Sequence, residues 1–167
     1  MSRAFVNEDQ AANQASQPVE RTISEQPNYV TAQGHAHLQQ RVADINRLRS
    51  ELLAQGERGD KQRLADLERD LRYFTARLQS AQVVPAATSR EKVQIGSRVT
   101  WVDEQNREHQ VQLVGEDQAD IAAGLINWGS PLGRALLGAA PGDEVVWRRP
   151  AGDLSIEVIA IEPEPGS

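Results

Sequence analysis

The chain contains no cysteine. That absence excludes disulfides, thiolate metal centres and thiol catalysis, and it suits a reducing compartment. Aromatic residues make up only 4% of the 167 positions and apolar residues 39%, a lean supply for one large core that fits two small folded parts better. No run of about 20 apolar residues is present to cross a membrane. The opening stretch from Met1 to Asp9 also lacks the apolar core of a secretory signal. The expected location is therefore cytoplasmic. A basic excess is missing as well: the net charge is −6, whereas a protein of free nucleic acid gains much of its affinity by neutralising phosphates. Little direct DNA binding is expected.

What the chain does have is a long heptad seam that folds back on itself. Leu64, Leu67, Leu71, Phe74 and Leu78 recur at alternating intervals of three and four, the spacing of a coiled coil. Leu38, Val42, Ile45 and Leu52 continue the seam upstream, with Leu48 one place early. Pairing Leu38 with Leu78, Val42 with Phe74, Ile45 with Leu71 and Leu52 with Leu64 centres every pair on Arg58, as an antiparallel hairpin requires. The polar stretch from Gln55 to Asp60 forms its tip. Arg63, Arg69, Arg72 and Arg77 crowd the second helix, but Asp66, Glu68 and Asp70 alternate with them, which reads as a solvated helix surface.

Residues 1–28 are rich in Gln, Asn, Ser and Glu, with Pro18 and Pro27 as breakers, and are expected to form a disordered leader. The hairpin spans 29–84, with Thr31 as its N-cap despite Gly34 nearby. Residues 85–92 read as a linker. A β-rich domain over 93–162 and a short tail over 163–167 follow. In it, residues 97–103 and 109–114 form a hairpin, and 144–149 and 154–161 two further strands. The last strand is expected at the centre of the sheet because both its faces are apolar. Ser130 followed by Pro131 reads as an N-cap with proline in the first turn, and Gly138 closes the short helix that follows.

Three ordered blocks, from Val114 to Ile121, from Ser130 to Gly138 and from Pro141 to Val145, resemble the C-terminal domain of the bacterial Gre transcript-cleavage factors. The stretches from Lys61 to Leu64 and from Leu71 to Leu78 are similar to the second coiled-coil helix of the GreB branch. The resemblance covers about residues 29–162. It implies an α+β fold, an N-terminal antiparallel coiled-coil hairpin followed by a small FKBP-like β-sheet domain with a short helix. It also implies docking on the rim of the RNA polymerase secondary channel, with the hairpin entering the channel. In the family, two acidic residues at the tip help hold a second Mg²⁺ at the polymerase's active centre, because that hard ion prefers oxygen ligands. On this view the polymerase is the enzyme and the chain is not, with no cofactor of its own and at most a Mg²⁺ held jointly.

Carried over, the docking residues are Gly129, Ser130, Pro131 and Arg134, with Gly129 standing where the GreB branch has an acidic residue. Capping alone also accounts for Ser130 and Pro131. The tip departs from the family pattern. Asp60 follows Gly59 as expected, but Arg63 stands where the second carboxylate should be, and Glu57 offers one only in reversed order. Each arm also reads as shorter than the family's by roughly 7 to 10 residues, about 10 to 15 Å of reach at 1.5 Å per residue. The expectation is a monomeric regulator that binds the polymerase without efficient cleavage stimulation. The alternatives are a true cleavage-stimulating factor using Glu57 and Asp60, or an FKBP-like prolyl isomerase or chaperone with Trp101, Trp128 and Trp147 around a pocket. Those tryptophans fit a core better. His35 and His37, two apart on a helix, point to different faces and do not suit joint metal ligation. His109 shows no triad partner by spacing.

Overall fold

A computed structural model describes residues 19–165. They divide into two compact units: one holds the segment up to Glu25 with Leu38–Ser80, the other Gln26–His37 with the chain from Ala81 on.

In the first unit the seam folds as a helical hairpin. Helix α1 (Ala32–Ala54) enters it at Leu38, a 3-10 turn covers Gly56–Arg58, and α2 (Lys61–Ser80) returns. The antiparallel pairing shows in two contacts across the hairpin. Arg49 Nε lies 3.2 Å from Glu68 Oε1, and the Arg41 guanidinium sits 5.2 Å over the Phe74 ring. Leu38, Ile45 and Leu52 are buried on α1. On α2, however, the fully buried residues are Tyr73 and Arg77, while Leu64, Leu67, Leu71, Phe74 and Leu78 are half-buried.

The extra burial at Tyr73 comes from the segment ahead of the hairpin. Arg21 places its guanidinium 3.9 Å over the Tyr73 ring and 5.0 Å from Phe74, with Nη1 3.5 Å from Asp70. Glu20 pairs with Arg72, whose hydrogen bond holds the Glu20 carboxyl below its usual pKa. Residues 19–25 carry no helix or strand, yet Glu20 and Arg21 lie against α2, contacts not expected of a disordered leader, and Arg72 is ion-paired rather than simply solvated. The rest of that stretch, 1–18, lies outside the described residues.

In the second unit the chain first forms β1 (Tyr29–Val30), parallel to β2 (Gln82–Val83), a strand within the stretch read as leaving the hairpin. Thr31 caps α1 as expected: its Oγ1 accepts from Gly34 N at 3.0 Å and donates to Gln118 Oε1 at 2.8 Å. The same contact explains the glycine in the first turn. A Cβ at Gly34 would come within 2.7 Å of Gln118 Oε1.

Five further strands form one sheet: β3 (Arg98–Val102), β4 (Glu108–Val114), β5 (Leu125–Asn127), β6 (Glu144–Trp147) and β7 (Leu154–Glu162), in the order β5-β4-β3-β7-β6. β3 and β4 form the expected antiparallel hairpin. Helix α3 (Pro131–Leu136) packs Leu132 and Leu136 into the core with Val99, Leu113, Ile156, Val158 and Ile161. The α+β architecture read from the sequence is thus the observed one. β7 is central, between β3 and β6, but the expected reason fails: Ile159 is 42% exposed. The pairing shifts between Thr100 and Trp101, so that Thr100 faces Ala160 while Trp101 faces Val158. The irregularity reverses the alternation and brings Ile161 to the same buried side as Ile156 and Val158.

Candidate functional site

The loop before α3 is built from backbone hydrogen bonds that its side chains complete. Asn127 Oδ1 accepts from Gly129 N at 2.9 Å, and its carbonyl accepts from Ser130 Oγ at 2.7 Å and Ser130 N at 3.0 Å. Ser130 Oγ in turn accepts from Gly133 N at 3.2 Å, and Pro131 occupies the first helical position, where no amide is needed. Gly133 is required by close approach, since a Cβ there would lie 2.3 Å from the Asn127 carbonyl and 2.6 Å from that of Trp128. A cleft of about 420 Å³ opens beside this loop, lined by Gly129, Pro131, Arg134, Ala135, Val146 and Arg148. The structure therefore brings three of the four sequence-derived docking residues into one concave surface and gives Ser130 the helix cap behind it.

Ala135, Val146 and Arg148 are additions that sequence reasoning did not name. The signal for two of them was present: along a strand the side chains alternate, so with Val145 and Trp147 turned to the core, Val146 and Arg148 face outward. The cleft couples an apolar floor to two guanidinium groups, a chemistry suited to an acidic protein surface.

At the hairpin tip the carboxylates are arranged differently. Asp60 Oδ1 accepts from Gln62 N at 2.9 Å and from Arg63 N at 3.1 Å, capping α2. Arg63 is bound to that carboxylate through its own amide. Glu57 lies exposed in the 3-10 turn. Gly56, at φ 60°, adopts a left-handed turn, and Gly59 passes so close to Leu52 that a Cβ would sit 2.9 Å from its carbonyl. Two carboxylates separated by a turn, one of them engaged as a helix cap, do not by themselves make the oxygen-rich donor set that Mg²⁺ takes.

The remaining candidates have structural roles. Trp101 is buried in the core and meets Trp147 edge to face at 5.8 Å, while Trp128 tilts against Tyr29 at 5.3 Å. Neither the cleft nor a second, polar cavity beside Arg98 and Gln112 is lined by a tryptophan. His109 stacks on Trp101 at 4.2 Å and does have an acidic partner, Asp103, whose Oδ2 is 3.0 Å from its Nε2. Spacing hid this pair because β3 and β4 bring it together across their turn. Asp103 Oδ1 also accepts from Gln105 N at 2.8 Å and Arg107 N at 3.0 Å, so it shapes that turn. His35 and His37 lie near the start of α1. Among the described residues no group of three or more His, Asp or Glu is placed to hold a metal.

Comparison with known proteins places these features. Residues 87–163 match the family model described as transcription elongation factor, GreA/GreB, C-terminal. Transcription elongation factor GreB of Neisseria meningitidis serogroup B is 33% identical over 156 residues, covering 83% of this chain and 96% of that protein. GreA of Cereibacter sphaeroides is 38% identical over 96 residues, 57% of this chain and 64% of that protein. Among solved structures, a prokaryotic transcription elongation factor GreA/GreB from Nitrosomonas europaea is 25% identical, with a TM-score of 0.38 over 80% of this chain and 98% of that one. No helix among the described residues is long and apolar enough to cross a membrane. The likeness to GreA and GreB corrects one expectation, that no enzymatic activity attaches to the chain: Gre factors stimulate transcript cleavage by RNA polymerase, an endonucleolytic activity.

Proposed function

The chain belongs to the GreA/GreB family of transcription elongation factors, and from that premise we propose that it docks on the rim of the RNA polymerase secondary channel through Gly129, Ser130, Pro131 and Arg134. The cleft beside α3 supports this reading, with Val146 and Ala135 as its apolar floor and Arg134 and Arg148 as cations for an acidic patch. The factor acts as a monomer in the cytoplasm, where the polymerase works.

The hairpin tip then sets how strongly polymerase cleavage is stimulated, and we place that stimulation low. The observation that carries this is Asp60, engaged as the cap of α2 with Arg63 three residues on. A short reach supports it. Helix α1 has 23 residues and α2 20, so at 1.5 Å per residue they extend about 34 and 30 Å.

A backtracked elongation complex tests the proposal. The protein is expected to bind core polymerase, to stimulate cleavage weakly, and to compete with an efficient cleavage factor. Robust cleavage that disappears in the Glu57→Ala, Asp60→Ala double variant would instead establish both carboxylates as ligands of a Mg²⁺ shared with the polymerase.

A further inference from the structure

The docking loop is held from outside by the segment just before β1. Gln26 Nε2 donates to the Gly129 carbonyl at 3.3 Å, across 103 positions of sequence. Three residues on, the Tyr29 ring lies 5.3 Å from that of Trp128 at 51°. Gln82 N donates to the Asn28 carbonyl at 2.8 Å and fixes the segment between these two contacts. One short stretch of chain therefore grips two consecutive residues of the loop that leads into α3.

Gly129 is buried, and the reason it is glycine is the Gln26 amide. A Cβ at 129 would lie 2.1 Å from Gln26 Oε1 and 2.8 Å from its Cδ, closer than any side chain tolerates. The obstacle is the far end of a flexible side chain, not backbone. A side chain at 129 would expel the amide and leave the fold intact. The two are mutually exclusive occupants of one space. Losing the amide also removes a donor from a carbonyl in a buried position, and Pro131, with its φ fixed, transmits any shift of that peptide to the cleft wall.

We propose that Gln26 is a positioning residue of the polymerase-docking loop, acting through the Gly129 carbonyl; the inference rests on the docking reading above. It requires the donor, not merely the bulk, of the side chain. Gln26→Glu keeps the size but presents only acceptors at neutral pH, so it should behave like Gln26→Ala.

Affinity for core RNA polymerase and thermal unfolding, measured on the same full-length variants, test this. Gln26→Ala, Gln26→Glu and Gly129→Ala are each expected to weaken binding about fivefold, the effect of one hydrogen bond, with the melting temperature near that of the wild type. The Gln26→Ala, Gly129→Ala double variant should bind no more weakly than either single one, because both remove the same contact. Wild-type affinity in Gln26→Ala or Gln26→Glu, multiplying losses in the double variant, or a melting temperature that falls with the affinity would each overturn the proposal. A wild-type protein that does not bind polymerase overturns the docking reading itself, and this inference with it.

Discussion

The guanidinium of Arg21 lies 3.9 Å over the ring of Tyr73. This contact fastens a segment without helix or strand onto the hairpin, and the guanidinium over the ring helps explain why a tyrosine outside the heptad seam is buried.

Removing it should cost more than removing an ordinary surface pair. Arg21→Ala is expected to lower stability by about 1 kcal/mol, from cation–π and packing losses together. Arg47→Ala, which breaks an exposed pair with Glu51 four residues away, should cost about 0.3 kcal/mol. Urea unfolding of both variants checks the order.

Asp60 separates capping from metal ligation by chemistry. Asn caps a helix about as well as Asp, whereas Ala does not. Asp60→Ala should therefore lose about 1 kcal/mol and Asp60→Asn very little, while on the proposed reading cleavage stimulation stays at the wild-type level in both. A cleavage rate that collapses in Asp60→Asn at wild-type stability would show that the carboxylate charge is used.

The hydrogen bond from His109, with those from the Arg107 and Gln105 amides, holds the Asp103 carboxyl at about 2 against an ordinary 3.8. A pKa depressed by folding stabilises above the ordinary value and loses that contribution as pH falls from about 4 to about 2. Asp103→Asn retains an oxygen for the turn amides but cannot titrate. Its acid unfolding curve should be flatter than that of the wild type across this window.

Gly133→Ala meets backbone rather than a mobile side chain, at the Asn127 and Trp128 carbonyls. We expect a loss of about 2 kcal/mol or more from overpacking, with polymerase affinity falling alongside the melting temperature. That joint fall contrasts with Gly129→Ala, where only affinity should move.

Much of this was legible before any coordinates. The three-four spacing of leucines specifies a hairpin because a helix returns to the same face at that period, and Arg49 with Glu68 shows the predicted antiparallel sense. Ser130, Pro131 and Gly138 punctuate α3 because caps and turns are governed by local backbone chemistry. Other features depended on partners distant in the chain. That Ile161 shares the buried side with Ile156 and Val158 was not legible, since the irregularity between Thr100 and Trp101 exists only in the pairing of two strands. Asp103 and His109 looked unrelated until the β3–β4 turn joined them.

The sequence by itself determined the helical hairpin, four strands of the sheet, the short helix α3 and the unusual tip, because period, caps and charge are encoded within a few residues of one another. Only the tertiary structure decided that Arg21 covers Tyr73, that Val146 and Arg148 complete the cleft, and that Gly129 leaves room for Gln26. Those relationships are set by packing across tens of residues. Steric exclusion of that kind acts between neighbours in space, and a string of residues does not say which neighbours those will be.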